Sequence, residues 1–341
     1  AYDSSGTGVV GASTITINAG SLSATNTLVL NDAAVVSNMN ITSGAGADNI
    51  TLGTGADTVS TGAGNDSIVG TQGGSNVIDT GAGVDTVTLS TSTSESISMG
   101  AGNDVITATT QLDALDTIDG GDGVDTMSVT GDLTGGSVIG GVSNVEVLSM
   151  IGAITVTASG EMGGVSTYNL TENTGAHTLV LGTATLPYSK DTTVLLTGQG
   201  TTSGDSIDAR ASSGTLTVKG NQTDFDNGLI VYGSAGADSV EITADGGATA
   251  NLDDVTRVEN IVIKDSSTAG TDASLTVYDG TVAAYGGPTS VNVDATELDG
   301  GVGNFDEVFT LVGGGTDGTA AMPLNVTSGG GADILDGGAG N

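Results

Sequence analysis

The sequence has no cysteine and no tryptophan, only three prolines and one histidine, and neither lysine nor arginine anywhere in residues 1–189. Without cysteine there is no disulfide, no thiol nucleophile and no thiolate metal site, so an exported chain of this kind must be stabilised by other means. A single histidine, His177, rules out the HExxH zinc motif within this chain. A Ser-His-Asp triad would have to use His177, yet no G-x-S-x-G elbow is present, and in TGAHTLVL this residue reads as an ordinary strand-edge position. The five basic residues, Lys190, Arg210, Lys219, Arg257 and Lys264, cannot build the basic face that nucleic acid or an anionic membrane surface requires. No apolar stretch reaches the ~18 residues of a transmembrane helix, so membrane insertion is not expected. Aromatic residues at 3% leave little for stacking sugars in a glycosidase cleft. The G-x-G-x-x-G string at 313–318 precedes TAAMP rather than a helix. The expectation is a protein that is not an enzyme.

What is abundant is glycine, at 58 of 341 residues, and aspartate, which outnumbers glutamate 32 to 8 in a chain of formal net charge -35. The glycines follow no G-X-Y period, which excludes collagen. The short Asp side chain suits a tight turn, where it bonds the local backbone or reaches a metal. Alternating runs such as STITIN (13–18), TLVL (27–30) and TLTVKG (215–220) read as short strands, and no 3.6-residue period is sustained. The expected fold class is all-β with very little helix.

The central pattern is a nine-residue beat: SGAGADNIT, LGTGADTVS, TGAGNDSIV, with Asp48, Asp57 and Asp66 nine residues apart. It continues, with insertions, through Asn76, Asp85, Glu95, Asp104, Asp116 and Asp125. Two residues after each of these comes an apolar side chain: Ile50, Val59, Ile68, Ile78, Val87, Ile97, Ile106, Ile118 and Met127. Turn, short strand, turn, short strand is the reading, with two nonapeptides to a coil and the apolar residues forming a narrow stacked core. Asp48 then lies near Asp66, and Asp57 near Asn76. Gly44, Gly46, Gly53, Gly55, Gly62 and Gly64 permit the tight turns and let backbone carbonyls point inward. Strands stack about 4.8 Å apart, and carboxylates at that spacing repel by ~1 kcal/mol per pair in water and more when partly buried. An intervening cation reverses that sign. Oxygen-only ligands specify a hard cation, and Ca²⁺ tolerates irregular, carbonyl-rich cages better than Mg²⁺ does. Sites are expected to weaken at the irregular steps, Asn76, Glu95 and Asp116.

With GAGNDSIVG (62–70) close to its consensus, the segment 43–128 resembles the parallel β-roll of RTX proteins, the calcium-binding repeat family exported by bacterial type I secretion. Echoes recur in GSAGADSV (233–240) and at 328–341, adding Asp238 and Asp333 as candidate ligands. Residues 120–149 also align without gaps to 233–262, an offset of 233 − 120 = 113, sharing G-x-x-G-x-D and V-[ST]-x-V-E. The expected organisation is N-terminal strands capping the roll (1–42), a calcium β-roll (43–130), and two duplicated β-rich units of solenoid or sandwich type (131–232 and 233–341), the last ending in a truncated repeat. The Ser/Thr/Gly/Val-rich second half resembles the β-rich parts of RTX-type bacterial surface-layer proteins. That resemblance implies a secreted, extracellular structural subunit, binding several Ca²⁺ and self-associating into a lattice or filament, with a cell-surface glycan as a further candidate partner. Two alternatives share the chemistry: a segment of a large RTX adhesin or filament, and the secretion module of an RTX enzyme whose catalytic domain lies elsewhere. The sequence starts at Ala1 without a signal-peptide pattern and stops at Asn341 one position before an aspartate is due, so the beat is expected to continue.

Overall fold

The computed structural model describes residues 14–341 apart from 71–73, 90–93, 109–111, 113–114, 132–140, 159–163, 172–174, 186, 199–203, 226–227, 245–248, 253, 266–272, 279–289, 299–308, 315–323, 330–332 and 337–341. The chain divides into two compact units, Ala1–Ile151 with Glu161–Val165, and Gly152–Gly160 with Ser166–Asn341.

In unit 1 the β-branched runs become strands of two to five residues, and most breaks fall at a Gly- or Asp-bearing turn. One ladder stacks Ile15–Asn18, Met39–Thr42, Thr58–Ser60, Val77–Asp79, Ser96–Ser98, Thr117–Asp119 and Val142–Ser143. The other stacks Val29–Asn31, Asn49–Leu52, Ser67–Gly70, Thr86–Leu89, Val105–Ala108, Thr126–Val129 and Val147–Ile151. Successive strands in the chain alternate between the ladders, so each coil contributes one strand to each, and the named pairs are parallel. This is a β-solenoid with almost no helix.

The pleat explains the core. In the second ladder Ile50, Ile68, Val87, Ile106, Met127 and Leu148 fall in register and point inward. Ile41, Val59, Ile78, Ile97, Ile118 and Val142 do the same from the first. All nine apolar residues anticipated from the beat are buried. Two facing columns of aliphatic side chains fill the interior, which is why aromatics are unnecessary before Tyr168. Ile106 is fully buried between Val87 and Met127 of the adjoining coils. Ile106→Ala is expected to cost about 2–5 kcal/mol, measured by urea denaturation at fixed calcium, because the flanking coils are hydrogen-bonded and cannot collapse into the gap.

Unit 2 keeps the parallel architecture with larger coils. One ladder runs Thr167–Thr171, Thr192–Thr197, Leu216–Asn221, Ser239–Thr243, Asn260–Lys264, Val291–Ala295 and Leu324–Ser328. A second runs Thr155–Ala158, Thr178–Leu181, Ser206–Asp208, Ile230–Tyr232 and Val255–Thr256, and a third Thr249–Asn251, Ala273–Tyr278, Phe309–Gly314 and Ile334–Asp336. The pairing Thr167↔Thr193 and Asn260↔Asn292 shows the longer coil, and Tyr168, Tyr188 and Phe225 fill the wider interior. Of the two forms expected for the second half, the structure has the solenoid rather than the sandwich. The described helical residues are one turn at Gln222–Phe225 and a 3₁₀ turn at Thr296–Leu298.

The duplicated segments share their local structure. Thr126–Val129, Val142–Ser143 and Val147–Ile151 recur as Ser239–Thr243, Val255–Thr256 and Asn260–Lys264. Asn144 (φ 51°) and Arg257 (φ 61°) occupy the same left-handed position, and a Cβ on Gly120 or Gly233 would meet their carbonyl oxygens at 1.9 and 2.2 Å. The shared glycines therefore mark where one turn packs directly against the next.

Candidate metal centre

Each coil of unit 1 turns at two edges, and the two are built differently. At the first edge lie the turns 61–66, 80–85, 99–104 and 120–125, carrying two glycines each, or three in the last, and ending in Asp66, Asp85, Asp104 or Asp125. Their middle residues, Ala63, Ala82, Ala101 and Asp122, form parallel bridges from coil to coil. The Ala82 N–H donates to the Gly62 carbonyl at 2.8 Å, and Gly83 N–H to the Ala101 carbonyl at 2.9 Å. So tight a stack brings the backbone of one turn onto the next. At Gly102 φ is 150° and a Cβ would lie 1.5 Å from the Gly83 carbonyl oxygen, so only glycine fits.

The acids of this edge form a continuous ladder. Asp48 Oδ1 accepts the Leu28 N–H at 2.6 Å, Asp66 Oδ1 the Asp48 N–H at 2.7 Å, and Asp85 Oδ1 the Asp66 N–H at 2.7 Å. Asp104 accepts from Asp85 at 2.7 Å, Asp125 from Asp104 at 2.8 Å, and Glu146 from Asp125 at 2.8 Å. One oxygen of each carboxylate is thus committed to the coil before it. The second oxygen, Oδ2, of Asp66, Asp85, Asp104 and Asp125 is buried with no hydrogen-bond partner, on residues at most 1% exposed. Asp48 differs, because its Oδ2 takes the Gly44 N–H at 3.3 Å. Burial pushes the Asp66, Asp85, Asp104 and Asp125 carboxyls above the usual carboxylate range, and acidic neighbours add to the rise. For Asp104, between Asp85 and Asp125, it reaches about 6.

The second edge carries Asp57, Asn76, Glu95 and Asp116. Asp57 accepts the Met39 N–H at 2.8 Å, Asn76 the Asp57 N–H at 2.9 Å, Glu95 the Asn76 N–H at 2.9 Å, and Asp116 the Glu95 N–H at 2.8 Å. Burial and the nearby Asp32 push the Asp57 carboxyl up as well. The stackings expected from the beat, Asp48 on Asp66 and Asp57 on Asn76, are present. The candidate glycines divide likewise: Gly44, Gly46, Gly62 and Gly64 lie at the first edge, Gly53 and Gly55 at the second.

In unit 2, Asp238 is satisfied by protein alone. Its Oδ1 accepts from Leu216 N–H and the Ser234 hydroxyl, both at 2.7 Å, and its Oδ2 from Ser234 N–H. Its own N–H donates to Glu259 at 2.6 Å, repeating the Asp125–Glu146 link. Asp333 is half-buried just ahead of Ile334–Asp336, and the residues 330–332 before it lie outside the described set. His177 is fully buried, and its N–H donates to Asp205 Oδ1 at 2.7 Å, as an aspartate would in its place. Sequence reasoning missed three rung residues: Glu146, Glu259 and Asp205. The signal for the first two was present in the repeated V-[ST]-x-V-E string, whose glutamate is the rung.

Four buried, partnerless carboxylate oxygens in a column suit a cation, since each is otherwise an uncompensated buried charge. Among the described residues no three His, Asp or Glu side chains converge. An ion here must therefore draw further ligands from backbone carbonyls, which Ca²⁺ accepts.

Comparison with protein families matches residues 42–74, 71–90 and 325–341 to the RTX calcium-binding nonapeptide repeat. Comparisons with curated proteins and with solved structures return no significant match. Over the matched segments the chain carries calcium-binding repeats of the RTX type, and those described in unit 1 are wound into a parallel β-solenoid.

Proposed function

We propose that this chain is a calcium-stabilised structural subunit of a bacterial extracellular assembly, a surface layer, without catalytic activity of its own. The observation that carries the reading is the column of partnerless buried oxygens on Asp66, Asp85, Asp104 and Asp125. Such a column is unfavourable without cations and rigid with them, so the fold depends on the calcium of its surroundings. Ions that bind only the folded chain stabilise it by RT ln(1 + [L]/Kd), and extracellular modules bind calcium at about 10⁻⁴–10⁻³ M. A chain of this kind stays loose where calcium is scarce and folds after export. With net charge -35, bound cations also relieve the self-repulsion that opposes close packing of copies. A structural role is further supported by the single histidine, which is buried and committed to Asp205. Among the described residues no helix is long and apolar enough to cross a membrane.

Negative-stain electron microscopy of the purified chain at millimolar calcium tests the assembly. Two-dimensional arrays that dissolve on chelation are expected. Isolated fibres would move the reading to an adhesin or filament segment, and dispersed single particles at all calcium levels would overturn self-assembly of this chain.

A further inference from the structure

We propose that the roll of unit 1 is loaded with calcium along one edge only, with an ion at each Oδ2 of Asp66, Asp85, Asp104 and Asp125 and none at the edge formed by Asp57, Asn76, Glu95 and Asp116. The inference rests on the calcium reading above and narrows it, since the nonapeptide beat by itself assigns ions to both edges.

Hydrogen bonding separates the edges first. Both are zipped in the same way, each acidic or amide side chain accepting an N–H from the preceding coil. Among the described residues the first edge carries a run of buried partnerless oxygens, Oδ2 of four successive acids, whereas none is found on Asp57, Asn76, Glu95 or Asp116. Glu95 and Asp116 make further interactions besides the ones described. The first edge thus holds a fully buried, unmet oxygen at every coil from Asp66 to Asp125, a run that the second edge lacks among the described residues.

Charge and reach point the same way. The first edge is aspartate at each of these coils, which fixes the carboxylate close to the backbone. The second replaces one carboxylate by the neutral amide of Asn76 and another by the longer Glu95, whose Oε2 spends its extra reach on the Asn76 N–H at 2.9 Å. An amide contributes no charge, so any ion between Asp57 and Glu95 would have fewer anionic neighbours than one between Asp66 and Asp104.

Turn composition is the third difference. Each first-edge turn from 61–66 to 120–125 carries two glycines at positive φ, among them Gly81 (92°) with Gly83 (153°) and Gly100 (92°) with Gly102 (150°). That backbone aims carbonyls where side chains would otherwise stand. Of the second-edge stretches, 53–57 carries Gly53 and Gly55 and 70–76 carries Gly74 at φ 92°, whereas 89–95 (LSTSTSE) and 108–116 (ATTQLDALD) contain no glycine. Spacing agrees. The arcs Asp57 to Asp66, Asn76 to Asp85, Glu95 to Asp104 and Asp116 to Asp125, which pass through first-edge turns, are all nine residues. The arcs through second-edge turns are ten from Asp66 to Asn76, ten from Asp85 to Glu95 and twelve from Asp104 to Asp116. An ion cage needs a fixed turn length, whereas a hydrogen-bonded edge tolerates a change in the length of its turn. The irregular steps of the beat at Asn76, Glu95 and Asp116 all fall on the second edge.

The test is calcium stoichiometry of the full chain, by native mass spectrometry and titration calorimetry, for wild type, Asp85→Asn, Asp57→Asn and Glu95→Gln. Asp85→Asn is expected to lose one ion or more, while Asp57→Asn and Glu95→Gln keep the wild-type number. Equal losses from Glu95→Gln and Asp85→Asn would overturn one-sided loading while leaving the calcium reading intact. No calcium bound by any variant or by wild type would overturn the calcium reading itself. Should Asp85→Asn fail to fold, anomalous diffraction from wild-type crystals soaked in Tb³⁺ decides independently: peaks beside Asp66–Asp125 alone support the proposal, and peaks beside Asn76 or Glu95 overturn it.

Discussion

Gly102→Ala is expected to destabilise unit 1 by about 3 kcal/mol or more and to raise the calcium concentration needed for folding. Two effects add. The backbone at Gly102 has φ 150°, which an L-residue rarely adopts. The new Cβ would also sit 1.5 Å from the Gly83 carbonyl oxygen and 3.3 Å from Asp104 Oδ1. Neither obstacle can move cheaply. The Gly83 turn is tied to its neighbour through Gly83 N–H to Ala101 O at 2.9 Å, and Gly102 N–H is tied to Asp122 O at 2.8 Å. Asp104 is held to the Asp85 N–H. Relief therefore requires two coils to separate, which breaks the bridge and displaces a candidate ligand together. Gly152→Ala is the control. Its φ is 82°, yet a Cβ there meets nothing within 4 Å, so only the conformational cost of about 1–2 kcal/mol applies. Thermal melts at saturating calcium, with calcium midpoints at fixed temperature, compare the two. Equal effects would mean that coil-to-coil contact at Gly102 contributes nothing beyond backbone strain.

The same glycines show what was legible in the sequence. A period of nine with an apolar residue two places after each acid gives a coil and a core, because strand side chains alternate and a turn must follow so short a strand. Ile68, Val87 and Ile106 could be stacked on one another from spacing alone, and they do stack. The difference between the edges was legible in part, in the irregular steps at Asn76, Glu95 and Asp116, but a nonapeptide with Asp57 reads much like one with Asp66. What divides them in the fold is that Oδ2 of Asp66, Asp85, Asp104 and Asp125 is fully buried without a partner, and that depends on how the backbone is brought together by folding. Asp48 and Asp66 illustrate this: both follow a G-A-G or G-A-G-like turn, yet a Gly44 N–H reaches Oδ2 of Asp48, while no donor reaches Oδ2 of Asp66. Asp238 looked like a ligand in GSAGADSV, but Ser234, ahead of its turn glycine, turns back and closes the carboxylate. Glu146 was hidden for another reason: the segment between it and Asp125 includes an insertion that breaks the nine-residue count, although the coil-to-coil link from Asp125 is kept at 2.8 Å.

Removing calcium at pH 7.5 is expected to abolish most of the β signal of unit 1 in far-ultraviolet circular dichroism, and acidification of the calcium-free chain to about pH 5 should restore part of it. The first-edge carboxyls are the cause. Burial, followed by their acidic neighbours, raises Asp66, Asp85, Asp104 and Asp125 in the folded chain, Asp104 to about 6. An unfolded aspartate titrates near 3.9. The folded state therefore binds protons more tightly than the unfolded one. The calcium-free fold is most stable below the unfolded value, loses stability as pH rises from about 4 to about 6, and carries the full penalty above that. The acid dependence is opposite in sign to that of an aspartate held low by a salt bridge. Calcium and protons serve the same oxygens, so they compete: calcium affinity should fall as pH drops through 6, and the gap between calcium-bound and calcium-free melting temperatures should narrow. Calcium-free protein is best prepared on a chelating resin, because aminocarboxylate chelators themselves weaken in acid. A calcium-free chain that unfolds further between pH 7.5 and 5 would contradict the linkage and would place the dominant carboxyls on the low side of their usual range. A chain whose β signal ignores calcium at pH 7.5 would show that hydrogen bonds and the aliphatic columns of Ile68 and Ile78 hold the coils without any ion.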